Sequence, residues 1–145
     1  MTYHHSHTLE MTDVAPETIW EILSGPVEHH PAWDERVESV TLDGPFADGT
    51  IQWIKFGFMP APAKTTLVDV IPGVGYSDDV SVDDVPSRFT HRIEPDGAGG
   101  CRVTFTIAMQ EPSAASVGAD FPHQLAALAA YARELGTARR RPDRP

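Results

Sequence analysis

Polar and apolar residues alternate from the start of the chain. Tyr3, His5, His7, Leu9 and Met11 fall on one side of an extended segment, and His4, Ser6, Thr8 and Glu10 on the other. A period of two with one half-apolar face predicts a strand with one side turned inward. The period then lengthens. In DVAPETIWEILSG, Pro16 suits a first helical turn and Glu17 the positive helix end, while Ile19, Trp20, Ile22 and Leu23 form an apolar side that Gly25-Pro26 ends. PVEHHPAWDERV is proline-broken and predicts one short helical turn leading into a strand. Period two returns in VESVTL, TIQWIKFGF, KTTLVDVI, YSDDVSVDDV, SRFTHRIEP and CRVTFTIAMQ, with turns at DGPFADG, MPAPA, PGVG and DGAGG. Phe89, His91 and Ile93 share one face, as do Val103, Phe105, Ile107 and Met109. Finally Phe121, Leu125, Leu128, Ala132 and Leu135 recur at helical spacing before Gly136.

The order is strand, two short helices, six strands and one long helix, the last placed at roughly residues 118–136. Without strand–helix alternation a doubly wound parallel sheet is excluded, and an α+β fold with helices on one face of an antiparallel sheet remains. A chain of 145 residues with 41% hydrophobic and 22% charged side chains reads as one globular domain, here residues 1–137. Residues 138–145 read as a disordered basic tail.

Because the opening histidines alternate with other residues inside a strand pattern, they belong to the fold and not to a tag. Charge narrows the partners. Residues 1–130 carry six basic against nineteen acidic side chains, and such a body repels nucleic acid and anionic membrane surfaces. No apolar run approaches membrane-spanning length and no secretory segment opens the sequence, so a cytoplasmic location is expected. The single Cys101 leaves no internal disulfide and no cysteine metal site, and no positive neighbour activates it as a nucleophile.

Four segments carry a family resemblance. APETIWEIL resembles the first-helix signature of the SRPBCC, or START-like, superfamily. PAWDERVESVTLDGPFADGT, RFTHRIEPDGAGGCRVTF and the helix start FPHQLAALA are similar to the bacterial polyketide cyclase/dehydrase-like branch. Together they cover most of residues 3–136. The resemblance implies a helix-grip fold, a seven-stranded antiparallel curved sheet wrapped around the C-terminal helix, with a cavity between them for an apolar ligand. The chain departs from the pattern at His30, where relatives often carry an aromatic residue, and in QEPSAASVGAD, which is shorter than usual.

Candidate chemistry follows from parity. His5, His7 and His91 point inward, where an imidazole near neutral pH can move a proton or orient a carbonyl, or simply sit satisfied by a neighbour. His5 and His7 with His91 could also hold a metal, but no fixed-spacing motif supports this and neither metal nor cofactor is expected. Tyr76 can donate to a developing enolate, and Asp69 is a further polar candidate at the ligand. Trp33, Phe56, Phe58, Phe89, Phe105 and Leu125 are the expected apolar lining. His29, His30 and Asp34 read as solvated edge residues, and Asp78, Asp79, Asp83 and Asp84 as a solvated hairpin. Trp53 falls on the outward face, which hints at a homodimer. The resulting expectation is a small-molecule pocket protein that cyclises or dehydrates an aromatic, polyketide-like compound. The alternatives are a carrier or sensor of a hydrophobic ligand, and a stress- or toxin-associated protein-interaction domain.

Overall fold

The computed structural model of the protein describes residues 2–140. Strand β1 (Tyr3–Met11) is followed by helices α1 (Pro16–Ser24) and α2 (Pro26–Trp33). Strands β2 (Val37–Leu42), β3 (Ile51–Phe56), β4 (Ala63–Ile71), β5 (Gly75–Val82), β6 (Val85–Pro95) and β7 (Cys101–Met109) come next, then α3 (Ala114–Val117) and α4 (Phe121–Arg140). The strands form one antiparallel sheet in the order β1-β7-β6-β5-β4-β3-β2, with α4 packed against β1 and β7 and against α1 and α2. This is the helix-grip architecture.

Alternation in β7 buries Cys101, Val103, Phe105, Ile107 and Met109, which meet Phe121, Leu125, Leu128, Ala129 and Ala132 of α4. The helical 3.6-residue period and the strand period of two thus bring one apolar stripe onto one apolar face, and hydrophobic burial holds them together.

Two boundaries differ from the sequence reading. PVEHHPAW forms a full eight-residue helix in place of one turn. Pro26 begins it, where no N–H is needed, and Pro31 removes only the hydrogen bond to the carbonyl of Val27, an exposed residue where water can replace the donor. Helix α4 runs past 137 to Arg140, so the basic tail begins as helix. Arg139 pairs with Glu21 of α1, and Arg133 donates to Asp13 at 2.8 Å. Residues 141–145 of the expected tail lie outside the described residues.

Helix α2 is tied to α4 by His29, whose Nδ1 is 2.7 Å from the Tyr131 hydroxyl. The sequence reading put His29 at a solvated edge; it is buried because α4 covers this side of α2. Tyr131→Phe leaves that nitrogen without a partner and should cost about 1–3 kcal/mol, read as a lower urea midpoint at unchanged m-value.

Candidate ligand site

Between the inner face of the sheet and α2, α3 and α4 lies a cavity of about 410 Å3. Its floor is a set of cross-strand neighbours. Tyr76 on β5 pairs with His91 on β6, and His91 with Phe105 on β7. One rung further, Asp78 pairs with Phe89. Trp33, His30 and Pro26 form the α2 wall, Val117 and Gln124 the α3–α4 wall, and Ile54, Phe56 and Thr65 continue the sheet. Phe58 and Met59 at the β3–β4 turn, with Val82 and Asp83 at the β5–β6 turn, stand at the rim, where Phe58 is 71% exposed.

Of the candidates, Trp33, Phe56, Phe58, Phe89, Phe105, Tyr76 and His91 line this cavity. Four other candidates do not. His5 stacks on Phe121 at 6.2 Å and lies against Gly118, where the missing side chain at the α3–α4 junction leaves it room. His7 is on the inner face, but Phe105 is its cross-strand neighbour and stands between it and His91. Leu125 is fully buried on the core side of α4 and does not line this cavity. Asp69 sits at a positive φ of 51° in an irregularity between Val68 and Ile71, which turns its exposed side chain toward Arg88, 3.5 Å away. No group of three His, Cys, Asp or Glu side chains among the described residues is arranged to hold a metal ion.

The electrostatics of the floor are unusual. His91 is stacked on Tyr76 at 4.3 Å and meets the edge of Phe105 at 4.9 Å, and its Nδ1 has no hydrogen-bond partner. Burial, aided by the positive charge His30 can carry, lowers its pKa to about 3, so the ring is neutral at pH 7. A histidine poised to exchange protons near neutrality was the sequence expectation; the aromatic surroundings remove it. Burial likewise raises Tyr76 well above 10, which keeps its hydroxyl protonated as a donor. Asp78 carries the opposite consequence. Desolvation and then the neighbouring charge of Asp79 raise its carboxyl to about 7, and Oδ1 is buried without a partner. It faces the cavity among Phe89, Tyr76 and Val80.

Asp78 thus does not belong to a solvated acidic hairpin, as the run of four carboxylates suggests. Only Asp83 and Asp84 form that turn, both at positive φ, and Asp79 points to the outer face to bind Arg88. The signal was present, since Tyr76, Asp78 and Val80 share one parity. His30 and Asp34 are likewise not solvated edge residues. His30 lines the cavity, and Asp34 is buried beneath it.

A larger, open concavity of about 610 Å3 occupies the outer face of the sheet, lined by Lys64, Thr66, Asp79 and Arg88. It is a shallow, mostly polar surface on which Arg88 is bound to Asp79 at 2.7 Å. Trp53 is on this face as expected, half-exposed, its indole N–H donating to Asp43 at 3.0 Å.

The family described as "Polyketide cyclase / dehydrase and lipid transport" matches residues 6–139, nearly the whole chain. The protein belongs to this family. It thereby falls in the SRPBCC superfamily. No curated protein matches the sequence. Among solved structures, Ara h 8.0201 superposes with a TM-score of 0.72 at 10% identity, over 92% of this chain and 99% of that one. Norcoclaurine synthase from Thalictrum flavum, in complex with dopamine and hydroxybenzaldehyde, gives a TM-score of 0.69 at 20% identity, over 99% of this chain and 90% of that one. At these identities the likeness is one of fold. For a polyketide cyclase/dehydrase-family domain, an apolar cavity open at one rim is suited to a small hydrophobic ligand. Among the described residues no helix is long and apolar enough to cross a membrane.

Proposed function

We propose that the cavity binds a small aromatic, polyketide-like ketone and that Asp78 exchanges a proton with its carbonyl oxygen, promoting cyclisation or dehydration without a cofactor. The observation that carries this reading is the Asp78 carboxyl, which belongs to the cavity lining and is buried among aromatic side chains with Oδ1 unpartnered. A carboxyl with its pKa near the working pH is half protonated there, so it can both give and take a proton. The Tyr76 hydroxyl is a donor, and the neutral His91 ring offers a second polar contact. The volume, about 410 Å3, accommodates two or three fused rings. The dopamine and hydroxybenzaldehyde held by the Thalictrum flavum structure support small aromatic ligands in this fold.

The test uses β-tetralone, a bicyclic aromatic ketone. Its α-hydrogens exchange into deuterium oxide by way of the enol or enolate, and proton NMR follows their loss. The protein should accelerate exchange over buffer. Asp78→Asn should lower the acceleration on the order of 10²-fold, the usual contribution of one positioned acid–base group. Affinity, read by quenching of the Trp33 wall, should change little. Binding without acceleration would replace this reading with that of a carrier.

A further inference from the structure

Enolisation needs two groups: one at the carbonyl oxygen and one at the α-carbon. Asp78 stands on the sheet. Across the cavity, on α2, His30 is held from two directions. Its ring stacks on Trp33 with centroids 4.9 Å apart and planes at 16°. Its Nε2 is 3.3 Å from Oδ2 of Asp34, the residue that ends α2. Asp34 is itself immobilised, since its Oδ1 accepts from the main-chain N–H of Arg36 at 3.1 Å and from Nε at 3.0 Å, and its Oδ2 accepts from Nη2 at 2.9 Å. Burial works to raise this carboxyl, but the bonds from His30 and Arg36 outweigh it and hold Asp34 ionised, well below the usual carboxylate range.

A permanent carboxylate on Nε2 selects the tautomer with the proton there and leaves Nδ1 as the accepting nitrogen. The other histidines are differently placed. His29 spends Nδ1 on Tyr131 and has Nε2 3.6 Å from Glu28. His123 is exposed beside Glu35, and His91 is the neutral floor ring. Of the α2 histidines only His30 lines the cavity.

We infer that His30, oriented by Asp34, is the second proton-transfer residue of this cavity, taking the α-proton of an enolisable aromatic ketone whose carbonyl oxygen faces Asp78. The inference rests on the function proposed above and adds the base to it. In the step, the Cα–H bond breaks and its proton passes to Nδ1 of His30. Its electron pair forms the C=C bond, the carbonyl π pair takes the proton of the Asp78 carboxyl, and the enol results, with an imidazolium and a carboxylate left behind. Where the imidazolium exchanges its proton for a solvent deuteron before the reverse path, the α-hydrogen is replaced by deuterium. An enol formed next to an electrophilic carbonyl closes a ring, and one formed beside a β-hydroxyl expels water with the imidazolium as acid. The substrate class is therefore an aryl ketone bearing either a second carbonyl or a β-hydroxyl. Asp34 is a positioning residue.

The same β-tetralone exchange tests this. His30→Gln, which keeps a planar polar side chain over Trp33, should lose on the order of 10²-fold in exchange while binding β-tetralone as before. In His30→Ala, added imidazole should restore part of the rate, which no loss of packing alone would allow. Asp34→Asn should slow exchange at saturating β-tetralone without changing its dissociation constant. Exchange that falls in Asp78→Asn but stays at the wild-type rate in both His30 variants, each shown folded by circular dichroism, would overturn the inference and leave the proposed function standing. Absence of acceleration by the wild-type protein would remove both.

Discussion

Replacing Asp78 by asparagine should stabilise the protein near pH 8 and destabilise it by about 1–2 kcal/mol near pH 4, where only the cost of the unpartnered amide remains. In the folded protein this carboxyl has a pKa of about 7, against 3.8 for the free group. Below both values each state is protonated and nothing is lost. Between them the unfolded chain releases the proton while the folded one retains it, so stability falls as pH rises through this window and stays low above it. At 1.36 kcal/mol per unit the full penalty is roughly 3–5 kcal/mol. A buried asparagine amide also lacks partners and gives some of this back, so a net gain of about 2 kcal/mol remains. For a chain of this length that is roughly 4–8 °C in the melting midpoint.

His91 acts in the opposite sense. Its pKa is lowered to about 3, so the unfolded chain takes up a proton below its usual 6.5 and stability falls as pH drops. The wild-type curve therefore contains two slopes that oppose each other between about pH 4 and 6.5, whereas in Asp78→Asn only the rising slope of His91 remains. The titratable groups around Asp78, chiefly its chain neighbour Asp79 with Tyr76 and His91 on the floor, are common to both proteins, so the difference between their melting curves isolates one titration. A difference that does not grow from pH 4 to pH 8 would mean that Asp78 is not the titrating carboxyl. A variant that is both more stable and inactive is the signature of a functional group held against its own solvation.

Gly75→Ala should be among the most damaging single substitutions, at about 3–5 kcal/mol, or roughly 10 °C in the midpoint. Gly75 begins β5 and pairs with Arg92, and a Cβ there would overlap the main-chain carbonyl oxygen of His91 and lie 3.2 Å from Arg92 Cα. No flexible side chain can yield, because the obstacle is the backbone of a central strand. To admit the methyl, β5 and β6 must separate where Tyr76 and His91 stack, so β-tetralone binding should weaken with stability. A midpoint within about 2 °C of wild type would show that the strands tolerate this separation.

Much of this protein is readable from the chain because periodicity reports which residues share a face. Alternation through Phe89, His91 and Ile93, and through Phe105, Ile107 and Met109, placed two walls of the core, and the helical spacing of Phe121, Leu125 and Leu128 supplied its lid. The order of elements excluded a parallel sheet, and the family resemblance supplied the grip around α4. Sharing a face does not say what that face meets. His5 and His7 have the right parity, yet the end of α3, the start of α4 and Phe105 lie between them and the ligand space. Asp69 lost its parity to a local irregularity in β4, which no pattern in KTTLVDVI announces. Asp78 looked like one of four solvated carboxylates, and His30 and Asp34 like surface polar residues. The protonation of Asp78 and His91 and the fixed orientation of His30 depend on neighbours distant in sequence: Phe89 and Phe105 exclude water, and Arg36 holds the carboxylate beneath His30. Face and period are local properties of the chain, whereas desolvation and charge sum over everything packed around a group, so they exist only once the tertiary structure has formed.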